Sequence, residues 1–107
     1  MSRAILLISC PDQRGITAAV AQYIADHNGN IIDAQQHSDT RTNAFFMRIE
    51  WSLDNFNLRR EEIPNAFQPI SGKFNMETSF SFDVSFILFI KLLHTSLSIS
   101  FLNLTTY

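Results

Sequence analysis

The most restrictive feature of this sequence is the order in which its hydrophobic spacing changes along the first 82 residues. Alternation at every second residue is typical of a strand, and spacing of three and four residues is typical of a helix. In residues 44–52 the apolar Phe45, Met47, Ile49 and Trp51 alternate with the residues between them. The whole pattern predicts strand, helix, strand, strand, helix and strand at residues 4–8, 16–27, 30–38, 44–52, 58–70 and 75–82.

This order predicts an α+β domain of the ferredoxin-like βαββαβ type. Right-handed crossovers turn it into a four-stranded antiparallel sheet with two helices on one face. We expect Asn28 and Gly29 to end the first helix, because glycine accepts the left-handed conformation that terminates helices. Pro64 falls inside the second helical segment and predicts either a kink or a helix that begins near Pro64.

Charged residues divide the chain into two parts. Residues 1–82 carry sixteen of the eighteen charges and form the predicted domain, whereas residues 83–107 are an apolar tail rich in Ser, Leu and Phe. Residues 84–104 include thirteen Val, Ile, Leu or Phe and are long enough to span a bilayer, but Lys91 and several polar residues offset that tendency. We therefore favour a frameshifted or truncated reading frame over a membrane anchor.

Composition excludes several classes of function. The net charge of −2 provides no basic surface for a nucleic-acid backbone, and the adjacent Phe45 and Phe46 point to opposite faces instead of forming an RNA-stacking pair. Cys10 is the single cysteine, which excludes an internal disulfide and a cysteine-based zinc site and is typical of a reducing, cytoplasmic compartment. No metal or cofactor is expected.

Residues 1–82 show no convincing catalytic set in the sequence. Asp33, Gln35 and His37 share one face of the second predicted strand, which favours a polar sheet face or an interface over a proton relay. Cys10 has no base placed beside it by the sequence, so we interpret it as structural rather than nucleophilic. His27 and His37 lack the spacing of a metal site.

The turn between the first strand and the first helix is the candidate binding site. Backbone N–H groups and the positive end of a helix dipole would meet there, and Gly15 would let a ligand approach the backbone. The alternative is that Pro11 and Gly15 only build a tight turn and that Asp12 caps the helix. We expect the hairpin loop of residues 39–43 to lie far from this turn.

Two segments of the sequence resemble a known family. Residues 9–16 (SCPDQRGI) are similar to the opening of an ACT domain, the small-molecule sensing module of amino-acid metabolism. Residues 30–39 (NIIDAQQHSD), followed by FFMR at 45–48, resemble more narrowly the N-terminal ACT domain of formyltetrahydrofolate deformylase. That enzyme family hydrolyses 10-formyltetrahydrofolate to formate and tetrahydrofolate.

The resemblance implies where the domain would bind and how it would assemble. It implies an amino-acid effector, with glycine and methionine as candidates, at a site formed by Asp12, Gln13, Arg14, Gly15 and Ile16. It also implies a homodimer with one larger sheet and a role in one-carbon balance for purine synthesis. The family's catalytic residues belong to a second domain that residues 83–107 do not resemble, so we expect no activity from this chain alone. The alternative is a stand-alone ACT-type sensor that regulates another enzyme.

Overall fold

A computed structural model describes residues 2–82 of the chain. Within that range the order is β1 (Arg3–Pro11), α1 (Ile16–Asp26), β2 (Asn30–Asp39), β3 (Ala44–Ser52), α2 (Ile63–Lys73) and β4 (Glu77–Ser81), with one 3-10 turn at Arg60–Glu62 before α2. The predicted element order is confirmed. The predictions made for residues 83–107 lie outside the described residues.

The four strands form one antiparallel sheet in the order β2-β3-β1-β4. β1 lies at the centre, where it pairs with β3 along its full length and with β4 from Ile5 to Ser9. This central position explains the nearly continuous apolar run of β1. β2 and β4 are the two edges of the sheet, and the predicted ferredoxin-like α+β topology is confirmed.

The core lies between the sheet and the two helices. The alternation of β3 places Phe45, Met47, Ile49 and Trp51 in the core, each at most 4% exposed. The helical spacing of α1 also places four side chains in the core, namely Ile16, Val20, Tyr23 and Ile24. α2 contributes two more, Ile63 and Phe67. Full burial of one such side chain contributes about 1.5–3 kcal/mol to folding, so this apolar layer supplies most of the driving force.

The end of α1 differs from the prediction in one respect. Asn28, at φ 64°, takes the left-handed conformation that we assigned to Gly29. Gly29 is required for space instead, because a Cβ there would lie 2.6 Å from Ile24 Cγ2 and 2.9 Å from Phe56. Asparagine tolerates a positive φ better than other non-glycine residues. Asn28 therefore provides the left-handed conformation that ends the helix, and Gly29 provides the space beside Ile24 and Phe56.

α2 begins later than residue 58, so that predicted start is wrong. Pro64 occupies the first turn of a helix that starts at Ile63, as the second of our two alternatives predicts, because proline needs no N–H partner there. α2 then continues to Lys73 even though Pro69 lies inside it. Neither helix of residues 2–82 is long and apolar enough to cross a membrane.

Candidate functional site

The turn after β1 leaves the start of α1 open. Gly15 is the N-cap residue, with φ 89° and ψ 0°, and within residues 2–82 no side chain caps this helix. The interpretation of Asp12 as the cap is therefore wrong. The first turn of α1 also contains no acidic residue. Its unpaired N–H groups and the helix dipole favour a carboxylate or a phosphate at this end.

Four of the five predicted site residues take different positions around this helix end. Arg14 and Gly15 are exposed, Asp12 is partly exposed, and Ile16 is 2% exposed with its side chain in the core. Arg14 and the backbone of Gly15 thus remain accessible to an anion. The Ile16 side chain holds the helix start against the sheet instead of facing a ligand.

Gln13, the fifth predicted site residue, makes hydrogen bonds within the fold. Its side-chain amide Nε2 donates to the carbonyl oxygens of Pro11 and Phe74, both at 3.0 Å. Phe74 is the residue that caps the C-terminus of α2, 61 positions further along the chain. Gln13 therefore joins the turn to α2, a contact that no local sequence pattern could indicate.

The hairpin loop of residues 39–43 borders the turn, so its predicted remote position is wrong. The Asp12 N–H donates to the carbonyl oxygen of Asn43 at 2.9 Å. The cause is the sheet register, in which Pro11 at the end of β1 pairs with Ala44 at the start of β3. Arg41, in that loop, is thus unsuitable as a remote control residue.

Cys10 has the surroundings of a structural residue. It is 6% exposed and belongs to the core, and burial raises the pKa of its thiol, as does the negative charge of Asp12. Both effects disfavour the thiolate that a nucleophile needs. His27 donates from Nδ1 to the Tyr23 carbonyl at 2.8 Å, and residues 2–82 contain no group of three His, Cys, Asp or Glu side chains that could hold a metal ion.

The polar side chains of β2 belong to an ion-pair network on the sheet face opposite the helices. Asp33 accepts from Arg48 at 3.1 Å, and Arg48 and Arg3 both contact Glu50, at 3.2 and 2.8 Å. Gln35 and His37 lie opposite Arg48 and Phe46 in the register. Beside them a groove of about 270 Å³ crosses the sheet over Leu7 and Phe46. The ion pairs are those of a polar sheet face, whereas the groove over Leu7 and Phe46 is largely apolar.

Comparison with known proteins relates this fold to one family. Residues 4–63 match the ACT domain family. Formyltetrahydrofolate deformylase from Synechocystis sp. is 50% identical over 68 residues, which cover 64% of this chain and 24% of the relative. The Bacillus subtilis deformylase is 37% identical over 75 residues, covering 69% and 25%.

A solved structure shows the same relation. The formyltetrahydrofolate deformylase from Pseudomonas syringae pv. tomato superposes with a TM-score of 0.74 at 38% identity, over 77% of this chain and 28% of that chain. The chain thus spans about a quarter of the length of the relatives it matches. Because the family match covers more than half of its residues, the chain belongs to the ACT domain family.

Proposed function

We propose that residues 1–82 are the regulatory ACT domain of a formyltetrahydrofolate deformylase and that they bind a small amino acid at the turn of residues 12–16. One observation carries this proposal. The N-terminus of α1 has no side-chain cap among residues 2–82, while the exposed Arg14 adds a positive charge beside it. The match to deformylases over this part of the chain supports the same assignment.

The chemistry of the turn is suited to binding the carboxylate of an amino acid. The effector's carboxylate accepts hydrogen bonds from the N–H groups at the start of α1, where the dipole adds about 0.3–1 kcal/mol. Arg14 supplements this attraction. The effector's ammonium requires a carboxylate or a carbonyl oxygen, which the partly exposed Asp12 or a second subunit supplies. Glycine and methionine are the candidates, since both amino acids exchange one-carbon units.

Calorimetry with glycine and with methionine tests the site. A Cβ at Gly15 meets no atom within 4 Å, so Gly15→Val has room, but φ 89° is strained for any residue with a Cβ. We expect Gly15→Val to abolish binding and Arg14→Ala to weaken it. Arg60→Ala is the matched control, because Arg60 contacts Ser2 at the opposite end of β1. Unchanged affinity in Gly15→Val would place the site elsewhere.

We further propose that the domain works as a cytoplasmic homodimer and that this chain alone does not hydrolyse 10-formyltetrahydrofolate. The second point is supported by the buried Cys10 and by the ion-paired polar face of β2, which together leave residues 2–82 without a candidate catalytic set. Formate release above background by the purified chain, lost on substitution of one of its residues, would contradict it.

A further inference from the structure

We propose that Gln13 is a positioning residue that couples the turn of residues 12–16 to the junction between α2 and β4. This inference deepens the proposed function, on which it rests, because it states how occupancy of the turn reaches the last described strand. Its basis is the pair of hydrogen bonds from Gln13 Nε2 to the Pro11 and Phe74 carbonyl oxygens.

One end of this bridge lies in the sheet and the other in the core. Pro11 belongs to β1, the central strand, and the Phe74 side chain is 5% exposed in the core. Between these anchors Gln13 is itself exposed, so its amide spans the gap from the surface without support from packing. A change in the turn therefore acts directly on the Phe74 carbonyl through this side chain, in addition to the pairing of Ser9 with Glu77 between β1 and β4.

The junction that Gln13 touches is a compact reversal of the chain. Phe74 donates its N–H to Ile70, and Met76 donates its N–H to Ser71 at 2.8 Å. Asn75 between them has φ 55°. β4 begins one residue later, at Glu77, and pairs there with Ser9 of β1. The position of the Phe74 carbonyl thus helps to set where β4 starts.

The donor chemistry of Gln13 makes the link specific. A side-chain amide has two N–H donors on one nitrogen, which is what two carbonyl acceptors require. Methionine has the same length and no donor. Gln13→Met therefore removes the bridge with little change in volume, and Gln68→Met is the matched control, since Gln68 is an exposed glutamine on α2.

Amide hydrogen exchange of the chain without ligand tests the coupling by a double-mutant cycle. Asn75→Ala loosens the junction, because alanine is strained at φ 55°. We expect Asn75→Ala to speed exchange of the Asp12 N–H roughly fivefold, the size of one net hydrogen bond. In the Gln13→Met background that added effect should vanish, and in the Gln68→Met background it should remain. An equal effect in all three backgrounds, or none in the parent, would overturn the inference.

A second arm separates this inference from the proposed binding site. With glycine or methionine at a concentration that calorimetry shows to saturate both proteins, exchange at residues 74–77 should slow in the parent chain and stay unchanged in Gln13→Met. Binding of the amino acid to the parent without any change at residues 74–77 would overturn the inference and leave the proposed function intact. Absence of binding to the parent would refute the proposed function, while the double-mutant cycle still decides the coupling.

Discussion

Glu50 is a carboxylate with no exposed surface, held between Arg3 and Arg48. Arg3 and Arg48 are partly exposed, at 29% and 19%, and Arg48 keeps Asp33, so removing Glu50 costs mainly its charge-assisted hydrogen bonds, and the loss of one such bond typically costs about 1.5–3 kcal/mol. We expect Glu50→Ala to lower the unfolding free energy by about that amount. Asp33→Ala is the matched comparison, since Asp33 contacts the same Arg48 but its side chain is 43% exposed, and exposed pairs contribute about 0–1 kcal/mol. Urea unfolding that gave equal losses for both variants would contradict this difference.

Tyr23 makes the stability of the fold sensitive to alkaline pH. Its hydroxyl donates to the Ile63 carbonyl at 3.1 Å, and burial raises its pKa from 10.0 to about 12. Above pH 10 the unfolded chain loses the proton first, so it binds fewer protons than the folded chain and the unfolding free energy falls as pH rises toward 12. Below pH 10 this contribution is constant. Tyr23→Phe should be less stable at neutral pH by about 1 kcal/mol and should show a flatter decline between pH 10 and 12 in chemical denaturation.

Individual residues show where sequence reasoning ends. The alternation of β3 predicts that Glu50 lies opposite the core, but its burial depends on Arg3, 47 positions earlier. The positive φ of Gly15 follows from its place in a turn before a helix, whereas the bridge from Gln13 to Phe74 does not. Local chemistry predicts conformations, and contacts between distant positions appear only once the register of the sheet is known.

β2 is the element best suited to pairing with a second copy of the domain. It is an edge strand, and it carries the two large exposed hydrophobic side chains of residues 2–82, Ile31 at 40% and Ile32 at 38%. An exposed edge strand is a template for pairing with another chain, and lysine on such an edge prevents it. The double substitution Ile31→Lys and Ile32→Lys should therefore convert the proposed dimer into a monomer in sedimentation velocity.

A variant on the opposite edge serves as the control. Thr78→Lys places one lysine on the exposed surface of β4 and should leave the dimer intact. Dissociation by Thr78→Lys instead would place the contact at β4. A parent chain that sediments as a monomer at tens of micromolar would refute dimerisation altogether.

Strands and helices differed in how well their bounds could be predicted. β3 has its predicted bounds, because its apolar alternation continues through most of the segment. β4 is shorter than predicted, from Glu77 to Ser81, because Asn75 and Met76 take part in the reversal after α2. β1 is longer than its apolar run, since pairing with β3 continues to Pro11. Hydrophobic spacing thus predicts which segments are ordered, whereas neighbouring elements decide where they stop.

At the scale of the whole chain, we predict that the fold of residues 2–82 does not depend on residues 83–107. Those residues lie outside the described part of the chain, and the sheet and helices of residues 2–82 already enclose a core whose buried side chains extend from Ala4 to Phe74. Deleting 83–107 should improve solubility, since the segment is apolar and carries only Asp83 and Lys91 as charges. The truncated domain should keep a cooperative thermal transition in circular dichroism. Loss of that transition would show that the segment packs on the fold.

The strand order also has a consequence for how the chain folds during synthesis. Of the four described strands β1 is made first, yet its partners β3 and β4 are made third and fourth, with Arg3 opposite Ser52 and Ile5 opposite Ser81. No hairpin can therefore form around β1, and the central strand stays unpaired on one side until residue 81 has been made. Such long sequence separations slow folding, because the chain loses the entropy of loop closure before the strand contacts stabilise it. The first strand pairing available to the nascent chain is the hairpin of β2 and β3, and β1 can then pair with β3.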